Sequence, residues 1–198
     1  MPPQTPPGNV ERAAAIEALA AKIAAVGSAS SPEEAPPVRL PEGADSARAR
    51  DIVLRQLAAA PRPRAVLAQK LRSRKIPQDI ADSVLDRFEQ VGLIDDRAYA
   101  ELYVTAKHRD RALGRHALRA ELRRQGVAED DFADAVAEVG REAETQRAAE
   151  LIGKRVASAM AAGPDAARRR LLGLLARRGY PSSLATAVVE SAIDSFGG

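Results

Sequence analysis

The sequence predicts an all-α protein, an elongated array of three tandem three-helix repeats behind a mostly disordered N-terminal extension. Three observations lead there. Of 198 residues, 42 are alanine and arginine outnumbers lysine 25 to 5; with leucine and glutamate these are good helix formers. Valine and isoleucine never alternate with polar residues for long, so no strand pattern develops. Finally, one motif occurs three times, as VLAQKLRSRKIPQDIADSVL (66–85), ALRAELRRQGVAEDDFADAV (117–136) and LLGLLARRGYPSSLATAVV (171–189). A period near 50 residues, such as the 51 from Lys75 to Gly126 and the 53 from Gly126 to Gly179, holds about three helices per copy.

The first 45 residues stand apart. Eight of the 13 prolines lie within residues 1–41. Ile16, Leu19, Ile23 and Val26 recur at helical spacing and Gly27 follows as a cap, so a short helix is expected over 10–26. Residues 27–45 offer almost no apolar surface and read as a linker.

Repeat one is expected over about 46–94, repeat two over 95–144 and repeat three over 145–196. The first helix carries Ile52, Val53, Leu54 and Leu57 in copy one. Its counterparts are Tyr99, Leu102, Tyr103 and Ala106, then Leu151, Ile152 and Val156. The second helix is set by the pairs Leu67/Leu71, Leu118/Leu122 and Leu171/Leu175, and ends at Lys75, Gly126 or Gly179 in a left-handed cap. The third starts just past Pro77, Ala128 or Pro181. Between copies one and two, Gly92 reads as a cap, Leu93 and Ile94 as buried anchors, and Asp95 as the N-cap of the next helix. Residues 129–162 contain no proline, which allows one long helix to join copies two and three, broken only near Gly140 or Gly153.

Charge is segregated. Residues 1–45 carry 3 basic and 6 acidic side chains; residues 46–198 carry 27 and 21. The second helices, with part of the first helix in copy one, are basic: 9 against 1 over 48–75, 7 against 2 over 107–124, and 5 against none over 168–178. The third helices of copies one and two are acidic, with 2 against 7 over 78–101 and 2 against 8 over 129–150. Basic helices in equivalent places can add up to one stripe attractive to phosphates or carboxylates. The candidate partner-binding residues are therefore Arg64, Lys70, Arg72, Arg74 and Lys75, then Lys107, Arg109, Arg111, Arg115, Arg119, Arg123 and Arg124, then Arg168, Arg169, Arg170, Arg177 and Arg178. Arg115, Arg119 and Arg123 share one helix face, and Glu121 is the only acid within 114–124, so the middle copy is the favoured contact.

Catalytic chemistry is not expected. Cysteine is absent, which removes thiolate metal sites and cysteine nucleophiles. No phosphate-binding G-x-x-x-x-G-K-[ST] loop, G-x-S-x-G elbow or H-E-x-x-H pair occurs. His108 and His116 would lie about 12 Å apart along one helix, too far to share a metal. Asp79, Asp82 and Asp86 read as a solvated stripe, and Tyr99 and Tyr103 as core or repeat-interface residues. No cofactor is expected. With no apolar run long enough to span a bilayer and no secretory layout at the N-terminus, a cytoplasmic protein with no membrane contact is expected.

The stretch Gly92-Leu93-Ile94-Asp95-Asp96-Arg97-Ala98-Tyr99-Ala100, followed by Gly114 and by the basic leucine helix ending in Gly126-Val127, resembles the RecX regulatory proteins of bacteria. The resemblance covers about residues 46–196 and is most specific in the central copy. It implies a fold of tandem three-helix repeats, in which Gly92, Leu93, Ile94, Asp95, Asp96, Tyr99, Gly114 and Gly126 are structural motif positions. It implies a monomeric, non-enzymatic partner of the RecA recombinase. Such a protein lodges in the groove of the RecA filament on single-stranded DNA and restrains its ATPase, strand-exchange and coprotease activities, in the service of DNA repair, recombination and the SOS response. Direct contact with single- or double-stranded DNA is a further implied property. Lys75 departs from the glycine of the other copies. Two other readings compete, a helix-turn-helix DNA binder and a helical scaffold without nucleic acid; the acidic third helices, where a recognition helix would lie, weigh against the first.

Overall fold

A computed structural model describes residues 43–197. The expected helix over 10–26 and nearly all of the expected linker lie outside the described residues. Within them the chain forms ten helices and no strand. They are α1 (Ala44–Ala59), α2 (Arg64–Ser73), α3 (Gln78–Gln90), α4 (Asp96–Arg111), α5 (Arg115–Arg124), α6 (Glu129–Ala137), α7 (Arg141–Gly153), α8 (Val156–Met160), α9 (Pro164–Arg177) and α10 (Ser182–Gly197). None is long and apolar enough to cross a membrane.

The chain divides into two compact units between Asp95 and Asp96. The first holds α1–α3, and the second holds α4–α10. Three apolar clusters match the three repeats, one in the first unit and two in the second. Each is built to one plan. The first helix supplies an alanine and, one turn later, a β-branched residue: Ala49 and Val53, Ala100 and Val104, Ala148 and Ile152, none more than 3% exposed. The small residue lets the neighbouring helix approach closely. The second helix supplies the leucine pairs, all at 1% exposure or less. The third helix closes the cluster with Val84, Leu85 and Phe88, then Phe132 and Val136, then Val188 and Val189.

The second helix ends identically in all three repeats. The amides of Ile76, Val127 and Tyr180 donate to the carbonyls of Leu71, Leu122 and Leu175 at 3.1–3.2 Å. This is the Schellman closure, which needs a left-handed residue just before the bonded apolar one. Lys75 (φ 60°), Gly126 (φ 80°) and Gly179 (φ 77°) occupy that place. The repeat register read from the sequence therefore holds at backbone level, with Lys75 as a non-glycine exception.

Three expectations change. No long helix joins repeats two and three, because the chain breaks at both Gly140 and Gly153. The first helix of repeat three is two pieces, α7 and the five-residue α8. In the first helices, Leu54 and Leu102 face outward, 39% and 61% exposed, while Ala100 and Val104 form the inward stripe of α4. Of the apolar residues expected to be buried in the first helices of repeats one and three, Ile52, Val53, Leu57, Ile152 and Val156 are buried.

Candidate interaction surface

Register places one arginine within the first two turns of the second helix in every repeat: Arg64, Arg115 and Arg168 stand eleven residues before Lys75, Gly126 and Gly179. Each clamps a carboxylate within its own unit. Arg64 donates to Asp86 at 2.6 Å and to Glu89 at 2.7 Å, both on α3. Arg168 forks onto Glu190 of α10 at 2.7 and 2.8 Å. The Arg168 guanidinium holds the Glu190 carboxyl below its ordinary value, and its own pKa is raised by the same bond. Arg115 reaches forward instead, to Glu144 on α7, through its backbone amide at 2.8 Å and its Nε at 2.9 Å. Glu144 is fully buried, the only charged side chain so placed among the described residues.

This clamp belongs to a seam between repeats two and three. The amide of Gly114 donates to the Arg178 carbonyl at 2.8 Å and that of His116 to the Gly179 carbonyl at 3.3 Å. A Cβ on Gly114 would sit 2.6 Å from the Gly179 oxygen, and one on Gly179 would sit 2.2 Å from the Ala117 amide nitrogen. Around it, Arg147 donates to the carbonyls of His108 and Arg109, and Arg178 donates to that of Arg111. Tyr180 is buried beside it, its hydroxyl without a hydrogen-bond partner among the described residues; burial pushes its pKa up to about 12.

The remaining candidates separate by repeat. In the middle copy, Arg123 pairs with Glu129 at 2.6 Å, and Arg119 lies 4.0 Å from the same carboxylate. Arg124 lies 3.7 Å from Glu121, and Arg109 pairs with Asp110 at 2.9 Å. Lys107 sits 5.2 Å over the Tyr103 ring. The acids that balance this helix come from Glu129 and Glu144, beyond the window in which Glu121 stood alone. The cleft between first and second helices is also filled here: the Tyr99 hydroxyl donates to Gln125 at 2.5 Å and that of Tyr103 to Glu121. Desolvation of Tyr103 raises its pKa further above the phenol range.

In the outer copies the same cleft is open. In repeat one it has a volume of about 350 Å³ and is lined by Arg48, Arg55, Gln56, Lys70 and Arg74. Beside it, Asp51 meets Arg55 at 2.6 Å. In repeat three it has a volume of about 200 Å³ and is lined by Arg155, Ser158, Arg170, Leu174 and Arg177. Arg48, Arg55 and Arg155 were not among the candidates read from sequence. All three lie on or beside first helices, and their return to the second helix in space brings them into the clefts. Arg72 and Lys75 are exposed at the end of α2, Arg111 at the end of α4, and Arg169 on α9.

The chain matches two family models, described as the first and second three-helix domains of RecX, over residues 49–88 and 95–136. It is 44% identical over 151 residues to a regulatory protein RecX of Thermobifida fusca, covering 76% of this chain and 82% of that one. With the RecX of Streptomyces coelicolor it shares 41% over 150 residues, 76% and 80% of the two chains. The crystal structure of RecX from Lactobacillus salivarius has the same fold, with a TM-score of 0.68 at 19% identity over 75% of this chain and 96% of that one. A second crystal structure of a regulatory protein RecX gives 0.69 at 24%, over 74% and 73%. The helical repeats, the two family models and the relatives named as regulatory proteins agree: this chain belongs to the RecX family of regulatory proteins.

Proposed function

We propose that the chain restrains a RecA-type recombinase by lodging in the groove of its filament on single-stranded DNA, lowering ATP hydrolysis, strand exchange and coprotease activity. The observation that supports this reading is the pair of basic clefts in the outer repeats, one in each compact unit. A filament presents the same surface on every protomer. Two linked cationic sites can engage two protomers, and the second contact is then effectively intramolecular. A ligand that prefers one filament geometry shifts the assembly toward it. The middle helix, with Arg115 and Arg123 already paired to carboxylates, belongs to the frame of the second unit. Its acidic neighbour α6, opening with Glu129, Asp130 and Asp131, would repel a DNA groove, which disfavours helix-turn-helix readout.

The test is a titration into a DNA-dependent RecA ATPase assay. Hydrolysis is expected to fall at substoichiometric protein and recover as salt rises, since screening shortens to about 10 Å at 0.1 M. Unchanged hydrolysis at low salt with the folded protein in excess rejects the reading.

A further inference from the structure

The repeat-three cleft holds a charge arrangement that the fold itself does not use. Arg155 precedes α8, and Arg170 and Arg177 lie on α9; all three are exposed and line one cavity of about 200 Å³. No carboxylate lines it, and none of the three makes an ion pair among the described residues. Three like charges around so small a space repel one another unless an anion sits between them. Arg168, on the same helix, shows the contrast, since it is fully engaged by Glu190 and Asp165.

A second, independent feature points the same way. Gly173 lies in the interior of α9, one turn before Arg177. Glycine there weakens the helix relative to alanine. A Cβ at Gly173 would stand 3.3 Å from Nη1 of Arg177. The missing methyl leaves the guanidinium its place against the helix, at the wall of the cleft.

We propose that this cleft binds a phosphate monoester. Three guanidinium forks suit a tetrahedral group with three terminal oxygens better than a carboxylate with two. A monoester carries a charge of about −1.5 to −2 at pH 7, which answers three cations more fully than the single charge of a backbone diester. The cavity is smaller than the roughly 300–1,000 Å³ of ordinary ligand pockets, so it takes the end of a molecule rather than the whole. No aromatic residue lines it, so it reads no base by stacking. The group is presented by a 5′-phosphorylated nucleic-acid end and by a mononucleotide. The clefts of the other repeats differ: that of repeat one is wider and has Asp51 beside Arg55, and that of repeat two is filled by Tyr99 and Tyr103. The proposal stands without the recombinase reading.

The experiment titrates the full chain, without recombinase, against a 3′-labelled oligothymidylate carrying either a 5′-phosphate or a 5′-hydroxyl. The phosphorylated strand is expected to bind about tenfold more tightly, and the advantage should fade as the pH drops through about 6, the second ionisation of the monoester. Arg155→Gln with Arg177→Gln should abolish the advantage with helicity unchanged. Gly173→Ala should raise the melting temperature yet reduce the advantage, a combination that a purely structural glycine would not produce. Competition by thymidine monophosphate alone at similar concentration supports the site and identifies a small nucleotide; competition only by the phosphorylated strand supports it and identifies a strand end. Equal affinity for the two ends overturns the proposal, as does equal competition by an oligoglutamate.

Discussion

Tyr180 and Lys75 each break a rule that their neighbours keep. The Tyr180 side chain is 4% exposed and its hydroxyl has no partner among the described residues, so the hydroxyl is desolvated without compensation. Leaving a buried polar group unbonded costs about 1–3 kcal/mol. Tyr180→Phe is therefore expected to stabilise the second unit by about 1 kcal/mol in urea unfolding at pH 7. The alkaline side follows from the sign of the shift. A phenol raised from 10.0 to about 12 favours folding while neutral; that contribution is full below pH 10 and is lost as the pH climbs to 12. The variant should lose less stability than the parent between pH 10 and 12, and equal loss would show that another group dominates that limb. Lys75 holds a left-handed conformation that its counterparts assign to glycine. Relieving it costs nothing in contacts, since Lys75 is exposed. Lys75→Gly should add about 1 kcal/mol to the first unit, read as a shift in urea midpoint without a change in slope.

At the level of elements, the seam between repeats two and three depends on close approach and on one buried charge. Gly114→Ala would drive a methyl into the Gly179 carbonyl, and overpacking of this kind costs about 1–3 kcal/mol. Arg115→Ala would leave Glu144 with only the residue-115 amide as partner in a fully buried place. Breaking a buried pair costs about 3–5 kcal/mol, discounted here because Arg115 is 37% exposed, so about 2–3 kcal/mol is expected. A melt of each variant checks both; a loss under 0.5 kcal/mol, within the range of ordinary surface changes, would mean the seam is not cooperative with the rest of the unit. The seam also marks what the sequence could and could not convey. The leucine pairs, the cap residues and the helix starts at Pro77, Ala128 and Pro181 were legible because they obey local periodicity and turn chemistry. The role of Arg64, Arg115 and Arg168 was not, since each finds its carboxylate 22 to 29 residues away, and a basic run looks the same whether its acids lie in solution or across a helix pair. The outer clefts were half legible: Arg170, Arg177, Lys70 and Arg74 were candidates on the second helices, while Arg48, Arg55 and Arg155, on or beside first helices, join them through packing.

The whole molecule joins two separately cored units through the segment Gly92-Leu93-Ile94-Asp95, and each unit carries its own basic cleft. Gly92 takes a left-handed turn, and Ile94, 3% exposed, packs into the first unit's core. The first unit has about fifty described residues, near the size at which a single core becomes marginal. The second has two apolar clusters stitched by the Gly114 seam. Residues 96–198 are accordingly expected to fold alone, and residues 43–95 to melt earlier. That difference permits a test of how the action on a recombinase arises. If the two clefts engage separate protomers, the covalent link presents the second cleft at an effective concentration in the millimolar range. Neither half should then restrain RecA at concentrations where the intact chain does, and the two halves mixed in trans should not restore it. Residues 1–42 precede the three repeats read from the sequence, so a 43–198 chain should act at full strength. The four proteins are compared by ATPase titration after circular dichroism confirms helicity at the assay temperature. Full activity of residues 96–198 alone would place the whole interaction in the second unit and end the two-site account. Activity of the mixture but not of either half would keep both surfaces but remove the role of the link. Only the intact chain and the 43–198 chain acting together, with the halves silent, matches a protein whose strength comes from holding two weak contacts on one backbone.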